Sequence, residues 1–268
     1  MSLPADNNNE LSFWDHIESL RWTIIRILFV LMVFVVLVFG YKELVFNKYI
    51  FAPLDSNFAF YQVLCKMGMW LGMPAFCTEA FKIELINVQL SGQFMAHLSA
   101  SITLSLLLTV PYLLFEVWKF VRPALYENER KHIGMVFFFS SFLFYLGVLV
   151  SYFLIFPLTI RFLGTYQVSD LVPNQISLDS YMGTLFLLTF TLGLMFEMPV
   201  LAYFLSKLGL ITRQTLRSGR SIAVVVLLVV SAIITPTTDP FTMLFVAIPL
   251  YVLFEFSILV CRSASVDE

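Results

Sequence analysis

The chain has 268 residues, 59% of them hydrophobic and 13% charged, with a formal net charge of -2. So little charge cannot cover the surface of a water-soluble domain this long, and no net positive charge is present to favour a nucleic-acid partner. The apolar residues fall in blocks of about 20, the length needed to cross a hydrocarbon core of about 30 Å. The expected fold class is therefore an all-α, polytopic membrane protein.

Residues 1–22 read as a cytoplasmic, amphipathic N-terminal segment, residues 23–262 as a six-helix transmembrane domain, and residues 263–268 as a cytoplasmic tail. The first apolar run follows the polar residues 6–10 and is too long for the apolar region of a cleavable signal peptide. Hydropathy predicts spans over 23–39, over 95–117 with Pro111 inside, and over 133–156 with an aromatic block. Further spans are predicted over 181–205, interrupted by Glu197 and Pro199, over a short stretch 222–234, and over 241–260 after a proline-bounded turn. The segment 41–94 is too long for a plain connector and is expected to be a structured cap with short interfacial helices.

Six spans put both termini on one side. One set of connections carries eleven basic residues: Arg21, Arg26, Lys119, Arg122, Arg130, Lys131, Lys207, Arg213, Arg217, Arg220 and Arg262. The other carries five, Lys42, Lys48, Lys66, Lys82 and Arg161, over longer loops. The positive-inside rule then places both termini in the cytoplasm and the 41–94 loop in the periplasm. There, Cys65 and Cys77 are free to form a disulfide or to stay as two thiols, whereas Cys261 should be reduced.

Ionisable groups in a bilayer need a reason, since each costs at least about 2.5–3.5 kcal/mol. Glu197 lies deepest, and two readings stand: a structural acid held by hydrogen bonds, or a contact for a partner helix or a proton-linked step. Pro199 frees backbone carbonyls beside it and can bend the helix. Glu116 and Glu255, near predicted span ends, can reach interfacial water or a nearby arginine. Asp239 suits the start of span six, where a short acid accepts from free N–H groups.

Several segments together resemble the TatC family, the multispanning subunit of the twin-arginine translocase. His16 with Leu20-Arg21 resembles the family's N-terminal motif, and Ala52-Pro53-Leu54 its first-loop motif. Pro123-Ala124-Leu125-Tyr126 with Glu129-Arg130 resembles its first cytoplasmic loop. Phe144-Tyr145-Leu146-Gly147 and residues 152–157 resemble its third span, and Phe196-Glu197-Met198-Pro199-Val200 the core of its fourth. Thr235-Pro236 through Asp239-Pro240-Phe241 and Ala247-Ile248-Pro249 resemble its last hairpin. Two departures stand out. Ser19 occupies a place where the family usually has Glu, with Glu18 one position earlier, and the first loop is long and holds the cysteine pair.

The resemblance implies a concave helical scaffold in the bacterial inner membrane that receives signal peptides bearing consecutive arginines on folded cargo. The planar guanidinium fork pairs bidentately with carboxylates, which Lys cannot copy. Glu129, with Glu18 or Glu127, is expected to meet the two arginines, supported by Ser19, Arg21, His16 and Tyr126. Implied partners are single-span subunits of the TatA and TatB type, contacting Glu197, Pro199 and Phe94. Oligomerisation is left open, no cofactor or metal is implied, and the driving energy would be the proton gradient.

Other function classes fit less well. A secondary transporter would show inverted repeats and ionisable groups converging on one cavity; no repeat is visible. An enzyme would show a recognisable motif, but none of the usual hydrolase, metalloprotease or phosphate-loop signatures occurs. His16, His97 and His132 fall in separate segments and suggest no metal site.

Overall fold

Lipid offers no hydrogen-bond partner to a backbone, so a chain crossing it must satisfy its N–H and C=O groups within helices. The computed structural model describes residues 13–55, 57–70, 83–121, 133–167, 169, 171, 174–235 and 239–261, and helices dominate them. Helix α1 runs Phe13–Gly40. It is already helical at Phe13, the first described residue and well before Thr23, because no Gly or Pro separates the amphipathic entry from the apolar run. The long loop that follows holds a π-helical turn, Leu44–Ile50, a 3-10 turn, Ala52–Leu54, and helix α2, Ala59–Trp70.

Helix α3, Gly92–Val121, passes Pro111 without a break. Helix α4, Ile133–Val150, leads through a π-helical turn, Ser151–Ile155, into α5, Phe156–Thr165. Pro157 lies in the first turn of α5, and the wide turn before it absorbs a ring that cannot donate an N–H. This run therefore extends past 156, the predicted end of span three. Helices α6, Leu178–Met195, and α7, Met198–Lys207, are separated by a turn at Phe196 and Glu197, with Pro199 opening α7. Three more follow: α8, Arg213–Ser218, α9, Arg220–Ile234, and α10, Pro240–Val260.

Among the described residues, five helical runs are long and apolar enough to cross a membrane: Ile17–Gly40, Gly92–Lys119, Gly134–Thr165, Leu178–Lys207 and Pro240–Val260. Helix α9 is apolar but shorter. Helix α1 packs chiefly on α3, α4 on α6, α7 on α10, and α9 on α10. The α4–α6 crossing is close because Gly147 and Gly193 face it. A Cβ at Gly147 would come within 2.8 Å of the Leu192 carbonyl oxygen, and one at Gly193 within 2.8 Å of Phe144. Phe156, Leu188, Leu192, Val246 and Leu250 are fully buried around it. Hydroxyls in this apolar interior bond to carbonyls one turn back, as Thr159 does to Ile155 at 2.9 Å and Ser257 to Leu253 at 2.8 Å. The outward faces of α1 (Leu28, Phe29, Met32, Val36) and of α9 (Val225, Val229, Ile233) are exposed apolar surface, which lipid covers without penalty.

Tyrosines tie the loop after α1 to the helices. The Tyr181 hydroxyl donates to the Ile50 carbonyl at 2.6 Å, and Tyr152 to the Tyr49 carbonyl at 2.6 Å. The Tyr61 hydroxyl lies 3.2 Å from the carbonyls of both Pro53 and Pro157, and burial pushes its phenol above the usual range. Two short strands add to this. In a parallel pair, β1, Leu85–Ile86, sets Leu85 against Ile176 and Ile86 against Ser177 of β2, Ile176–Ser177. Cys65 is disulfide-bonded, while Cys77 lies outside the described residues.

Candidate functional site

A helix repeats its face at spacings of three, four and seven residues, which puts Ser19, Thr23 and Arg26 on one face of α1. Thr23 is buried there, against α3. Facing it, Tyr112 and Glu116 lie one turn apart on α3, and the Tyr112 hydroxyl donates to Glu116 Oε1 at 3.0 Å. Arg26 Nη2 lies 3.4 Å from Glu116 Oε2 and 3.4 Å from Thr23 Oγ1. The Glu116 side chain is 4% exposed and that of Arg26 44%. The cation thus reaches outward while the carboxylate is covered. Glu116 Oε2 makes no hydrogen bond with any described residue, so its tie to Arg26 is a charge contact without hydrogen-bond geometry.

Glu18 and Ser19 are both exposed, as is Arg21, one to two turns nearer the start of α1. Neighbouring positions differ by about 100° around a helix, so Ser19, not Glu18, shares the Thr23 face. His16 lies in the first turns of α1, but its side chain is outside the described residues. Tyr126, Glu127 and Glu129 lie outside them altogether. Among the described residues the predicted signal-peptide residues Glu18, Ser19 and Arg21 lie exposed on α1, and the polar cluster that forms beside them, Thr23, Arg26, Tyr112 and Glu116, is one that sequence reasoning did not assign to that site. The four-residue spacing of Tyr112 and Glu116 was a readable signal for one of those contacts.

A second polar focus forms where α6 gives way to α7. Glu197 Oε2 accepts from the Ser140 hydroxyl of α4 at 2.6 Å, while Oε1 is buried and makes no hydrogen bond with any described residue. Pro199 is buried next to it. Pro199 and Val200 line an apolar groove of about 380 Å³ closed by Met135, Phe139, Leu143, Tyr203, Phe256 and Val260. Farther on, Arg220 of α9 donates to Glu255 Oε2 of α10 at 2.7 Å, and Tyr251 to Oε1 at 3.0 Å.

At the opposite ends of α1 and α3, Phe94 is exposed on a mixed pocket of about 600 Å³ shared with Lys42, Glu43, Asn47, Asn87 and His97. His97 stacks on Phe39 at 4.0 Å with Nε2 3.2 Å from the Phe39 carbonyl, so it acts in helix packing. Pro53 is buried with its carbonyl taken by Tyr61. Asp239 caps α10, its Oδ1 accepting the Thr242 N–H at 2.7 Å. Pro53 and Asp239 thus act in the scaffold.

The family model for TatC, the Sec-independent protein translocase protein, matches residues 15–249. The chain belongs to the TatC family. It is 32% identical over 255 residues to the Sec-independent protein translocase protein TatC of Blattabacterium sp. subsp. Periplaneta americana (strain BPLAN), covering 94% of this chain and 96% of that protein. To the TatC of Helicobacter pylori (strain J99) it is 36% identical over 193 residues, covering 72% and 77%. Among solved structures, the crystal structure of the twin arginine translocase receptor TatC in DDM superposes with a TM-score of 0.73 at 28% identity, covering 92% of this chain and 99% of the other. A second crystal structure of that receptor gives a TM-score of 0.68 over 91% and 97%. The chain is thus a membrane-embedded component of the Tat translocase, a transport protein that works with partner subunits. The polar foci at Glu116 and Glu197 belong to that scaffold.

Proposed function

We propose that this chain is the twin-arginine signal-peptide receptor and scaffold subunit of a translocase that exports folded proteins across the bacterial inner membrane, driven by the proton gradient. The observation that carries the reading is the TatC match over residues 15–249, together with the likeness to a solved twin arginine translocase receptor at a TM-score of 0.73. In this reading the five long helical runs and α9 make six spans, both termini are cytoplasmic, and the loop after α1 is periplasmic. The excess of arginine and lysine on the first set of connections supports that orientation.

Recognition takes place where α1 begins and where α3 runs out into residues 122–132. Glu129 and Glu127 take the leader's guanidinium groups, with Tyr126, His16, Ser19 and Arg21 shaping the rim, and Glu18 supplies charge from a neighbouring face. The apolar part of the leader then follows the spans inward. A single-span TatA- or TatB-type helix packs at the groove beside Glu197 and Pro199, where the unbonded Glu197 oxygen accepts from a polar side chain on it; Phe94 lines the periplasmic end. Helix α9, with 15 residues, reaches only about 22 Å against a hydrocarbon core of about 30 Å. The resulting mismatch thins the bilayer where cargo crosses.

Two measurements test this. Purified protein should capture a twin-arginine leader peptide in preference to the same peptide with both arginines changed to lysine, and Glu129→Lys should abolish export. Equal capture of the two peptides, or intact export by Glu129→Lys, would refute the receptor assignment.

A further inference from the structure

We propose that the apolar groove between α4, α7 and α10 binds one anionic phospholipid, with an acyl chain in the groove and the headgroup phosphate held by Arg213 and Arg217 of α8 beside Lys207. The inference needs only the membrane setting of the chain and stands apart from the receptor reading. Three observations carry it. First, the groove has the depth of one leaflet. Met135 and Val260 lie at the ends of the runs Gly134–Thr165 and Pro240–Val260, and Tyr203 lies one turn inside the end of Leu178–Lys207. Its wall along α4, from Met135 to Leu143, is about 12 Å long, against about 15 Å for half a hydrocarbon core. A partner helix crosses both leaflets and packs over such a groove, whereas an acyl chain entering from one surface matches its length.

Second, the surface where the groove opens is basic. Lys207 Nζ lies 5.3 Å from the centroid of the Tyr203 ring, which lines the groove. Past the turn at Gly209, Arg213 and Arg217 stand one turn apart on α8, and neither forms an ion pair among the described residues. Helix α8 packs on α10, whose last residue, Val260, closes the groove. Cys261, just beyond it, donates its Sγ–H to the Ala202 carbonyl of α7 at 3.4 Å, which holds the two helix ends together. No Asp or Glu occurs from 198 through 238, and Glu255 of α10 is taken by Arg220.

Third, Leu208 and Leu210, in the turn between Lys207 and α8, are exposed, as apolar side chains are where they dip into a membrane surface. Guanidinium forks pair with phosphate through two parallel hydrogen bonds. Basic side chains at a bilayer surface also favour anionic headgroups over zwitterionic ones.

The test uses the full chain in mild detergent and phosphatidylglycerol carrying a photoreactive diazirine in one acyl chain. Light should attach this probe to the segments holding Phe139 and Phe256, and unlabelled phosphatidylglycerol should compete better than phosphatidylcholine. Arg213→Gln combined with Arg217→Gln should weaken that competition about 25-fold, since one cation near an anionic surface counts for about fivefold. Arg217 is exposed, so Arg217→Gln alone, about fivefold weaker, serves should the double variant not fold. Met135→Trp, also at an exposed position, should fill the groove and lower the labelling there. Equal competition by the two lipids, or labelling of Phe29 and Met32 on α1 as strong as in the groove, would mark ordinary annular lipid and overturn the site. Arginine variants that bind phosphatidylglycerol like wild type would overturn it as well. In native membranes, benzoylphenylalanine in place of Phe139 should crosslink to phospholipid. Crosslinks only to a second copy or to another protein would give the groove to that occupant and refute the lipid site, while leaving the receptor reading untouched.

Discussion

Removing a single oxygen at Tyr181 should loosen the cap after α1 without disturbing its packing. The phenol is 1% exposed and donates to the Ile50 carbonyl at 2.6 Å, while its ring packs against Phe156 with centroids 5.2 Å apart. Tyr181→Phe keeps the ring, so no cavity opens, and the whole cost is a buried carbonyl left without its donor. That costs about 1–3 kcal/mol, and full burial with a short bond argues for about 2 kcal/mol. Tyr61→Phe should cost about 1 kcal/mol, since one hydroxyl proton at 3.2 Å from two carbonyls serves only one of them at a time. Hydrogen exchange over Leu44–Leu54 measures the effect directly. A local loss of about 2 kcal/mol speeds exchange there by about 30-fold, because 1.4 kcal/mol is a factor of ten. Exchange over Leu44–Leu54 that is unchanged in Tyr181→Phe would show that the hydroxyl does not hold the cap.

Three further perturbations bear on the scaffold. Gly147→Ala drives a methyl to 2.8 Å from the Leu192 carbonyl and from Phe196, so it should lower thermal stability in detergent by about 1–3 kcal/mol. Gly134→Ala, with nothing within 4 Å of the new carbon, should be silent in the same melt. Asp239→Ala removes the cap of α10 and should cost about 1 kcal/mol in denaturant unfolding, whereas Asp239→Asn should cost little. Arg220→Ala breaks the 2.7 Å pair with Glu255, but both side chains are partly exposed, so the loss should stay below about 1 kcal/mol and shrink with added salt.

Hydropathy located the five long apolar runs among the described residues, because lipid imposes one rule on all of them, and Pro199 announced the break between α6 and α7. The span expected over 23–39 covers only the apolar part of α1, because hydropathy tracks lipid, while the helix also runs through the amphipathic stretch before it. The helical run through α5 extends past the span expected over 133–156 for a related reason. A π-helical turn accommodates Pro157, so the proline did not act as a stop. Strands of two residues each, paired across about 90 positions, leave no periodic trace. Within the candidate site, the charge on Glu116 and its reach to a nearby arginine were legible, but not that the arginine is Arg26. Helical spacing says which residues share a face, and only the packed structure says which face meets which. Ser140, 57 positions from Glu197, was hidden in the same way.

The two covered acids make a contrast that mutation can read. Glu116 has a cation assigned to it, so Glu116→Gln strands Arg26 against a neutral amide. With Arg26 44% exposed, the penalty falls from the 3–5 kcal/mol typical of a fully buried pair to about 1–2 kcal/mol. Glu197 has no cation within ion-pair distance among the described residues, only the Ser140 hydroxyl. Glu197→Gln keeps an oxygen for that hydroxyl and strands nothing, so its stability should stay within about 0.5 kcal/mol of wild type. Denaturant melts of both variants decide the matter. If Glu197→Gln proves as destabilised as Glu116→Gln, its carboxylate is part of the fold's own electrostatics. If it melts like wild type while export falls, the acid is held for a partner helix, because no described residue pairs with its charge.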